Sequence, residues 1–506
     1  MVAKTTAKPA AKTAKPAAKK AATAKKTPSE AAREFFRPNY ESMMKVVDQK
    51  FGGSTGNMSV KARKESTIST GLLSTNLIMG GGLIAGTWNT FLGGEGSAKS
   101  THLAHIKIAA ADSGVPVLKD YDFEGSQSPV YYEGIMEYYS RLKNVTELYG
   151  LQDDKGNWVL PPKVKYENVS VAEDFFNPAS ALLRRMPDKL YLENRWWYAW
   201  DADKHGKAMA GTKYSKAMFS KYRRLMIEAE DGLPQAIFFL DSYPAMYPGR
   251  LDEDEAGSGM AAVARAMSEN VPKILSKLRV KGLIVCGVNQ LRLRPGFNMG
   301  DPSYEPAGET IKFASSARWR QTARVPPHKG PGVAKGVEWE LSEIYENAKD
   351  VYRYIHVKNI KNKTSTPYLE SWQRVWVDDG TGTAHGFDPV YDTIGYLKAT
   401  GQLACPERFN GATPMKLTME GQAPLKLSYS DFKALILLKG KDVAPICQGL
   451  GLTKNPFIRE RCFKQLEAGR GQELYFEHVV AKTAGTAAKV KDEEVEEDDD
   501  EIEIDE

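Results

Sequence analysis

From about residue 66 onward, short apolar runs alternate with longer stretches of helical periodicity. The runs Thr87–Leu92, Pro116–Lys119, Gln235–Leu240, Leu283–Val288 and Tyr352–Val357 have the length of buried strands. Between several of them lie segments with helical spacing, notably Ala98–Asp112 and Gly259–Leu278. Strands that alternate with helices predict an α/β domain with a mostly parallel sheet covered on both faces. Residues 141–230 are long for a single crossover. They contain a hairpin turn at Asp154-Lys155-Gly156-Asn157 and an aromatic, basic stretch from Arg195 to Arg224. Trp196, Trp197, Tyr198 and Trp200 in that stretch read better as a small local core than as a platform for bases. Beyond residue 386 a smaller mixed domain is expected, with helices near Ser428–Leu438 and Pro456–Gln465. Before residue 66, Phe35, Met43, Met44, Val47 and Phe51 are spaced as on one helix face, which Gly52-Gly53 ends. The chain therefore divides into a basic arm (1–28), a helical region (29–65), a core (66–385, with an insertion within 141–230), a C-terminal domain (386–485) and a tail (486–506).

Charge sharpens this outline. Residues 1–26 carry eight lysines and no acid, and residues 492–506 carry twelve acids and no base. The body between is net positive and points to a polyanionic partner, whereas the two ends alone could equally be solvating tails. The arm is low-complexity Lys, Ala, Pro and Thr that cannot bury enough apolar surface to fold alone. No apolar run is long enough for a membrane span and no secretory leader is visible, so the expected setting is cytoplasmic. Cys286, Cys405, Cys447 and Cys462 form no CxxC pair and read as reduced thiols. The seven histidines show no zinc-type spacing.

The sharpest motif is Gly93-Gly94-Glu95-Gly96-Ser97-Ala98-Lys99-Ser100-Thr101, which follows a strand and opens a helix. In that setting a glycine-rich turn directs backbone N–H groups at an anion. Lys99 is placed for the β- and γ-phosphates of ATP, Ser100 for Mg²⁺, and Thr101 for an inner phosphate. Ala98 stands where a glycine is usual, and matters only if the backbone there has positive φ. The strand Ile237–Leu240 delivers Asp241 to the sheet edge as a second group on Mg²⁺. Glu124, in Asp120-Tyr121-Asp122-Phe123-Glu124, is a candidate to orient or deprotonate water.

Taken in order, these pieces resemble bacterial RecA and its phage relatives of the UvsX type. The lead-in Ser74–Gly80, the segment Asp122–Tyr131, the strand Leu283–Gln290 and Lys361-Asn362-Lys363 carry the resemblance beyond the phosphate loop. It covers roughly residues 40–135 and 230–400, and implies a RecA-like P-loop NTPase core with an N-terminal polymerisation helix and a small C-terminal α+β domain. It also implies that Glu124 activates water and Tyr131 stacks on adenine. Gln290 would sense the γ-phosphate for the DNA loop that follows. Lys361 and Lys363 would reach the nucleotide of a neighbouring subunit. The DNA-binding set implied is Arg250, Met260, Arg265 and Ser268 around a first loop, and Arg292, Leu293, Arg294, Pro295, Phe297, Gly308 and Lys312 around a second. The family departs here in Ala98, in Ser128 where an acid is usual, and in Ala307 and Glu309.

The function implied is ATP-dependent homologous recombination. The protein would form helical filaments on single-stranded DNA and promote pairing and strand exchange with a homologous duplex. A single-strand-binding protein and a loading mediator would be further partners. Two alternatives stay open: a RecA-fold DNA-binding ATPase with a structural or regulatory role and no strand exchange, and a replicative helicase of related core.

Overall fold

The computed structural model describes residues 67–201, 213–229, 232–247, 249, 259–293, 303–306, 308–323, 351–378, 386–405, 412–438 and 440–482. The basic arm, the helix expected before Gly52 and the acidic tail lie outside the described residues.

A nine-stranded sheet organises the molecule. Its strands in chain order are β1 (Trp88–Gly93), β2 (Val117–Asp122), β3 (Val164–Asn168), β4 (Ala236–Asp241), β5 (Leu283–Gln290), β6 (Ala317–Ala323), β7 (Val351–Asn362), β8 (Glu370–Asp378) and β9 (Gly386–Phe387). Across the sheet they run β9-β8-β7-β6-β1-β5-β4-β2-β3. The six from β6 to β3 are mutually parallel, and β7, β8 and β9 continue the sheet antiparallel.

The sequence of the central strands explains their position. Every residue of β4 is buried, as a strand covered on both faces requires. Its side chains alternate between two cores. Ile237 and Phe239 join Leu103, Ile106, Ile284 and Trp319 on one face. Phe238 and Leu240 join Phe175, Val271, Ile274 and Val285 on the other. The first face is covered by α2 (Lys99–Asp112) and α3 (Pro129–Tyr139), the second by α4 (Ala172–Arg185) and α5 (Gly259–Lys281).

Residues 141–230 thus contribute β3 and α4 to the central layers. The turn at residues 153–157 joins Leu151–Gln152 to Trp158–Leu160, with the Asp153 carboxylate accepting the N–H groups of Lys155 (2.9 Å) and Asn157 (2.8 Å). The aromatic stretch forms a separate three-stranded sheet of Asp188–Leu192, Arg195–Asp201 and Arg224–Ala229. Trp197, Ala199 and Met226 make a small core on one side of it.

After β9 come α7 (Pro389–Ala399), a small antiparallel sheet, and helices Tyr429–Leu437 and Ile458–Glu467. Their core includes Leu73 and Leu77 of the early helix α1 (Leu73–Met79). No side chain of its own N-cap closes α1. The Asp392 carboxylate does so instead, accepting the N–H groups of Leu73 and Ser74 at 2.9 Å each. Arg459 holds that carboxylate at 2.8 Å and also donates to the Gly71 carbonyl at 2.9 Å.

Candidate nucleotide-binding site

The carboxyl ends of the parallel strands bring the candidate residues to one edge. Gly93 lies in register between Gln290 of β5 and Gln321 of β6, and Asp241 pairs with Asp122. Ligands of open α/β sheets bind at such an edge. Gly93 cannot carry a side chain, because a Cβ there would overlap the Gln321 carbonyl oxygen and the Ser97 hydroxyl. Gly94, Glu95 and Gly96 are exposed. Ser97 Oγ donates to the Gly94 carbonyl at 2.8 Å, closing the loop on itself. Ala98, the N-cap of α2, has φ 61° and ψ 30°. The departure from glycine therefore falls on a left-handed residue.

Lys99 Nζ donates to the Gly94 carbonyl at 2.6 Å. Burial depresses this ammonium, while Asp241, Glu124 and Glu95 oppose the shift. Asp241 is 2% exposed, and its carboxyl is pushed up to about 6 by burial, against Lys107 and a hydrogen bond from Ser100. Its Oδ1 has no hydrogen-bond partner among the described residues. A buried carboxylate oxygen without a partner, beside a serine hydroxyl, fits a magnesium ion that keeps most of its waters. No cluster of three or more His, Cys, Asp or Glu fit to hold a metal occurs among the described residues.

Glu124 sits one turn beyond β2. The Asp122 carboxylate accepts the N–H groups of Glu124 (3.0 Å) and Gly125 (2.9 Å), an Asx turn that presents Glu124 at the edge. Ser242 Oγ donates to Glu124 Oε1 at 2.5 Å, so the carboxylate beside the phosphate loop is tied to β4. Tyr131, in the first turn of α3, donates to Thr101 Oγ1 at 2.6 Å. Burial pushes its phenol up to about 12.

Beyond Gln290 the chain enters a hairpin, with Arg292 opposite Tyr304 and Leu293 opposite Ser303. Asn289 Nδ2 donates to the Pro306 carbonyl at 3.2 Å, which anchors the returning arm of the hairpin at the strand end. Arg292 is exposed. Arg250, Arg294, Pro295 and Phe297 lie outside the described residues; of Met260 and Leu293 only the backbone is described. Arg265 and Ser268 are exposed on α5, Arg265 pairing with Glu269 at 3.0 Å. Ser268 Oγ lies 2.7 Å from Thr310 Oγ1 of α6 (Glu309–Ala314), which Gly308 precedes as N-cap. Lys312 pairs with Glu309 at 2.5 Å.

Lys361 is on β7, and its ammonium donates to the Lys312 carbonyl (2.5 Å) and the Phe313 carbonyl (3.4 Å) of the same chain. It therefore sits on the negative end of α6. Burial and the neighbouring Lys363 and Arg318 depress it. The Lys363 side chain is exposed.

Three contacts made by five side chains carry no signal in the sequence as contacts. Arg353 Nη1 donates to the Gly96 carbonyl at 3.0 Å from an otherwise unremarked position on β7. Behind the loop, Gln321 Nε2 and His102 Nδ1 lie 2.5 Å apart, wholly buried. Lys107 and Asp120 form a buried ion pair at 2.7 Å.

The fold and this edge define an α/β core in which a glycine-rich turn and the start of a helix stand at the carboxyl ends of a mostly parallel sheet. No family model matches the chain. The chain is 27% identical to protein RecA of Thermus thermophilus over 166 residues, 33% of this chain and 42% of that protein. It is 27% identical to protein RecA of Streptococcus mutans over 165 residues, 32% and 39% of the two chains. With protein RecA of Francisella tularensis subsp. novicida the identity is 27% over 136 residues, 27% and 33% of the two chains. The chain thus spans about two fifths or less of the length of these curated relatives. Among solved structures it is similar to the RadB recombinase at a TM-score of 0.35 and 13% identity, covering 63% of this chain and 98% of that one. These matches to proteins named RecA cover about a third of the chain. No helix among the described residues is long and apolar enough to cross a membrane.

Proposed function

We propose that the protein is a DNA-dependent ATPase that assembles as helical filaments on single-stranded DNA and promotes homologous pairing and strand exchange. One observation carries this reading: Gln290 lies in register with Gly93 at one end and opens the Arg292–Tyr304 hairpin at the other. A neutral amide at that junction can exchange hydrogen-bond partners without a charge penalty, and so link phosphate state to a DNA-facing loop.

In this reading the backbone of Gly93–Thr101 cradles the phosphates and Lys99 leaves the Gly94 carbonyl to meet them. Ser100 and Asp241 would hold Mg²⁺, which when bound supplies charge neutralisation at the β- and γ-phosphates. Glu124, oriented by Asp122 and Ser242, accepts a proton from the attacking water. Tyr131 supports the base. Lys361 and Lys363 serve the nucleotide of the adjacent subunit, which requires Lys361 to leave its seat on α6. Arg265, Ser268, Arg292, Gly308 and Lys312 face DNA phosphates, and the segment from Leu293 to Phe297 supplies apolar wedges between bases. The protein works in the cytoplasm on DNA, in company with a single-strand-binding protein and a loading mediator.

The test is ATP hydrolysis with and without single-stranded DNA, alongside imaging and joint-molecule formation. Hydrolysis stimulated by DNA, abolished by Lys99→Ala and accompanied by helical filaments and joint molecules is the expected outcome. Filaments without joint molecules would leave a structural or regulatory DNA-binding ATPase. Closed rings would point to a helicase.

A further inference from the structure

Lys107 and Asp120 lie in the middle of the first core, 1% and 0% exposed at their side chains. Lys107 is two turns along α2 from Lys99, and Asp120 is on β2 two residues before Asp122. The ammonium makes three contacts: Asp120 Oδ2 at 2.7 Å, Tyr132 OH at 2.9 Å and Gln127 Oε1 at 3.1 Å. That is the full donor capacity of a lysine. Gln127 Nε2 donates to Asp120 Oδ1 at 3.3 Å, Tyr132 OH donates to Gln127 Oε1 at 2.7 Å, and Tyr149 OH reaches Asp120 Oδ2 at 3.4 Å. Around this cluster the sheet is apolar, with the Phe239 ring centroid 5.7 Å from the ammonium.

Stability alone does not account for such a pair. Withdrawing two charges from water costs several kcal/mol each, and an apolar pair of similar volume usually does as well or better. What an apolar pair lacks is direction. Gln127 closes the turn that Asp122 opens, and Glu124 stands between them. The Gln127 backbone N–H also points at Asp122 Oδ2, at 3.4 Å. The turn is therefore pinned at its start by Asp122 and at its end, through Gln127, to a lysine on the helix that begins with Lys99 and Ser100.

We infer that Lys107 and Asp120 are positioning residues for hydrolysis: through Gln127 they hold the turn bearing Glu124 in fixed register with the phosphate-loop helix. They set the rate of the chemical step and not the affinity for nucleotide. This rests on the ATPase reading above. It assigns a role to a charged pair that touches neither phosphate loop nor substrate.

The test compares the full chain with two variants, measuring thermal midpoint, dissociation constant for a fluorescent ATP analogue, and DNA-stimulated kcat. Lys107→Ile combined with Asp120→Leu removes the pair without leaving either charge orphaned. Gln127→Leu cuts the link to the turn and leaves the Lys107–Asp120 contact itself in place. Both are expected to bind nucleotide within about twofold of the parent, while kcat falls on the order of 10- to 100-fold, the scale of a displaced catalytic group. Parental kcat in a folded double variant, or in Gln127→Leu, overturns the inference, as does a loss confined to nucleotide affinity. Should the double variant fail to fold, Gln127→Leu decides. A parent chain whose hydrolysis is absent or indifferent to Lys99→Ala overturns the ATPase reading, and this one with it, and so is distinguishable from failure of the positioning role alone.

Discussion

Ala98 shows how one side chain can work against its own backbone. At φ 61° its Cβ crowds the following carbonyl, a cost of about 1–2 kcal/mol for an L-residue. Ala98→Gly removes that strain, partly offset by glycine's greater freedom in the unfolded chain, so a net gain of about 0.5–1 kcal/mol is expected. Urea denaturation reads it directly, and a lower midpoint in the variant contradicts a left-handed Ala98. His102 makes a second single-residue prediction. Its ring, bonded to Thr75 and Gln321 and stacked on Phe91, is held down to about 3 by burial. The unfolded chain takes up this proton near 6.5, so the stability due to neutral His102 is complete above that pH. It is lost as pH falls from 6.5 toward 3, at up to about 1.4 kcal/mol per unit. His105 is depressed in the same direction. The thermal midpoint should fall between pH 7 and pH 5, and His102→Gln should flatten that slope.

At the scale of elements, close packing leaves little tolerance. On β5, a Cβ on Gly287 would overlap the Tyr243 ring, whose hydroxyl accepts from Trp88 Nε1 at 2.7 Å. Gly287→Ala is expected to cost about 1–3 kcal/mol by overpacking, visible as a lower denaturation midpoint with unchanged secondary structure. The same crowding explains which elements were legible. β4 and β5 are unbroken apolar runs ending in Asp241 and Gln290, and a fully buried parallel strand has no other way to read. The glycine-rich turn between β1 and α2 was equally plain. β3, with the sequence Val-Lys-Tyr-Glu-Asn, is an edge strand with only Val164 buried, so no periodicity announces it. β6 buries Ala317, Trp319 and Gln321 but interleaves Arg318 and Arg320, which reach Glu305 and Ser303 in the hairpin arm. Its buried glutamine serves His102, a partner 219 residues away that no local pattern encodes. Lys107 and Arg353 escaped for the same reason: their meaning lies in what faces them across the fold.

At the scale of the molecule, the proposed filament makes a prediction about Lys361 and Lys363. If both act on a neighbour's nucleotide, alanine at either position suppresses hydrolysis chiefly when chains are assembled on DNA, and leaves nucleotide binding by the free chain near normal. Turnover assays across protein concentration check this, and normal DNA-stimulated turnover in both variants sinks the assignment. The C-terminal elements are joined to the core by Asp392 and Arg459, 1% and 12% exposed at their side chains. Asp392→Ala leaves two helix N–H groups without their acceptor and a buried guanidinium without its carboxylate, and is expected to cost about 3–5 kcal/mol. Differential scanning calorimetry should show this as an early transition.

That carboxylate also sets a clock. The N–H of Leu73 is met by an oxygen 319 positions further along the chain. At roughly 5–20 residues per second of synthesis, the wait is on the order of 15–60 s. Throughout it the first N–H groups of α1 lack this acceptor, and Leu73 and Leu77 have none of the apolar cover that the later helices bring. A ribosome-bound fragment ending short of α7 therefore exposes sticky surface near its front end. Closure of α1 by α7 waits until residue 392 has been made.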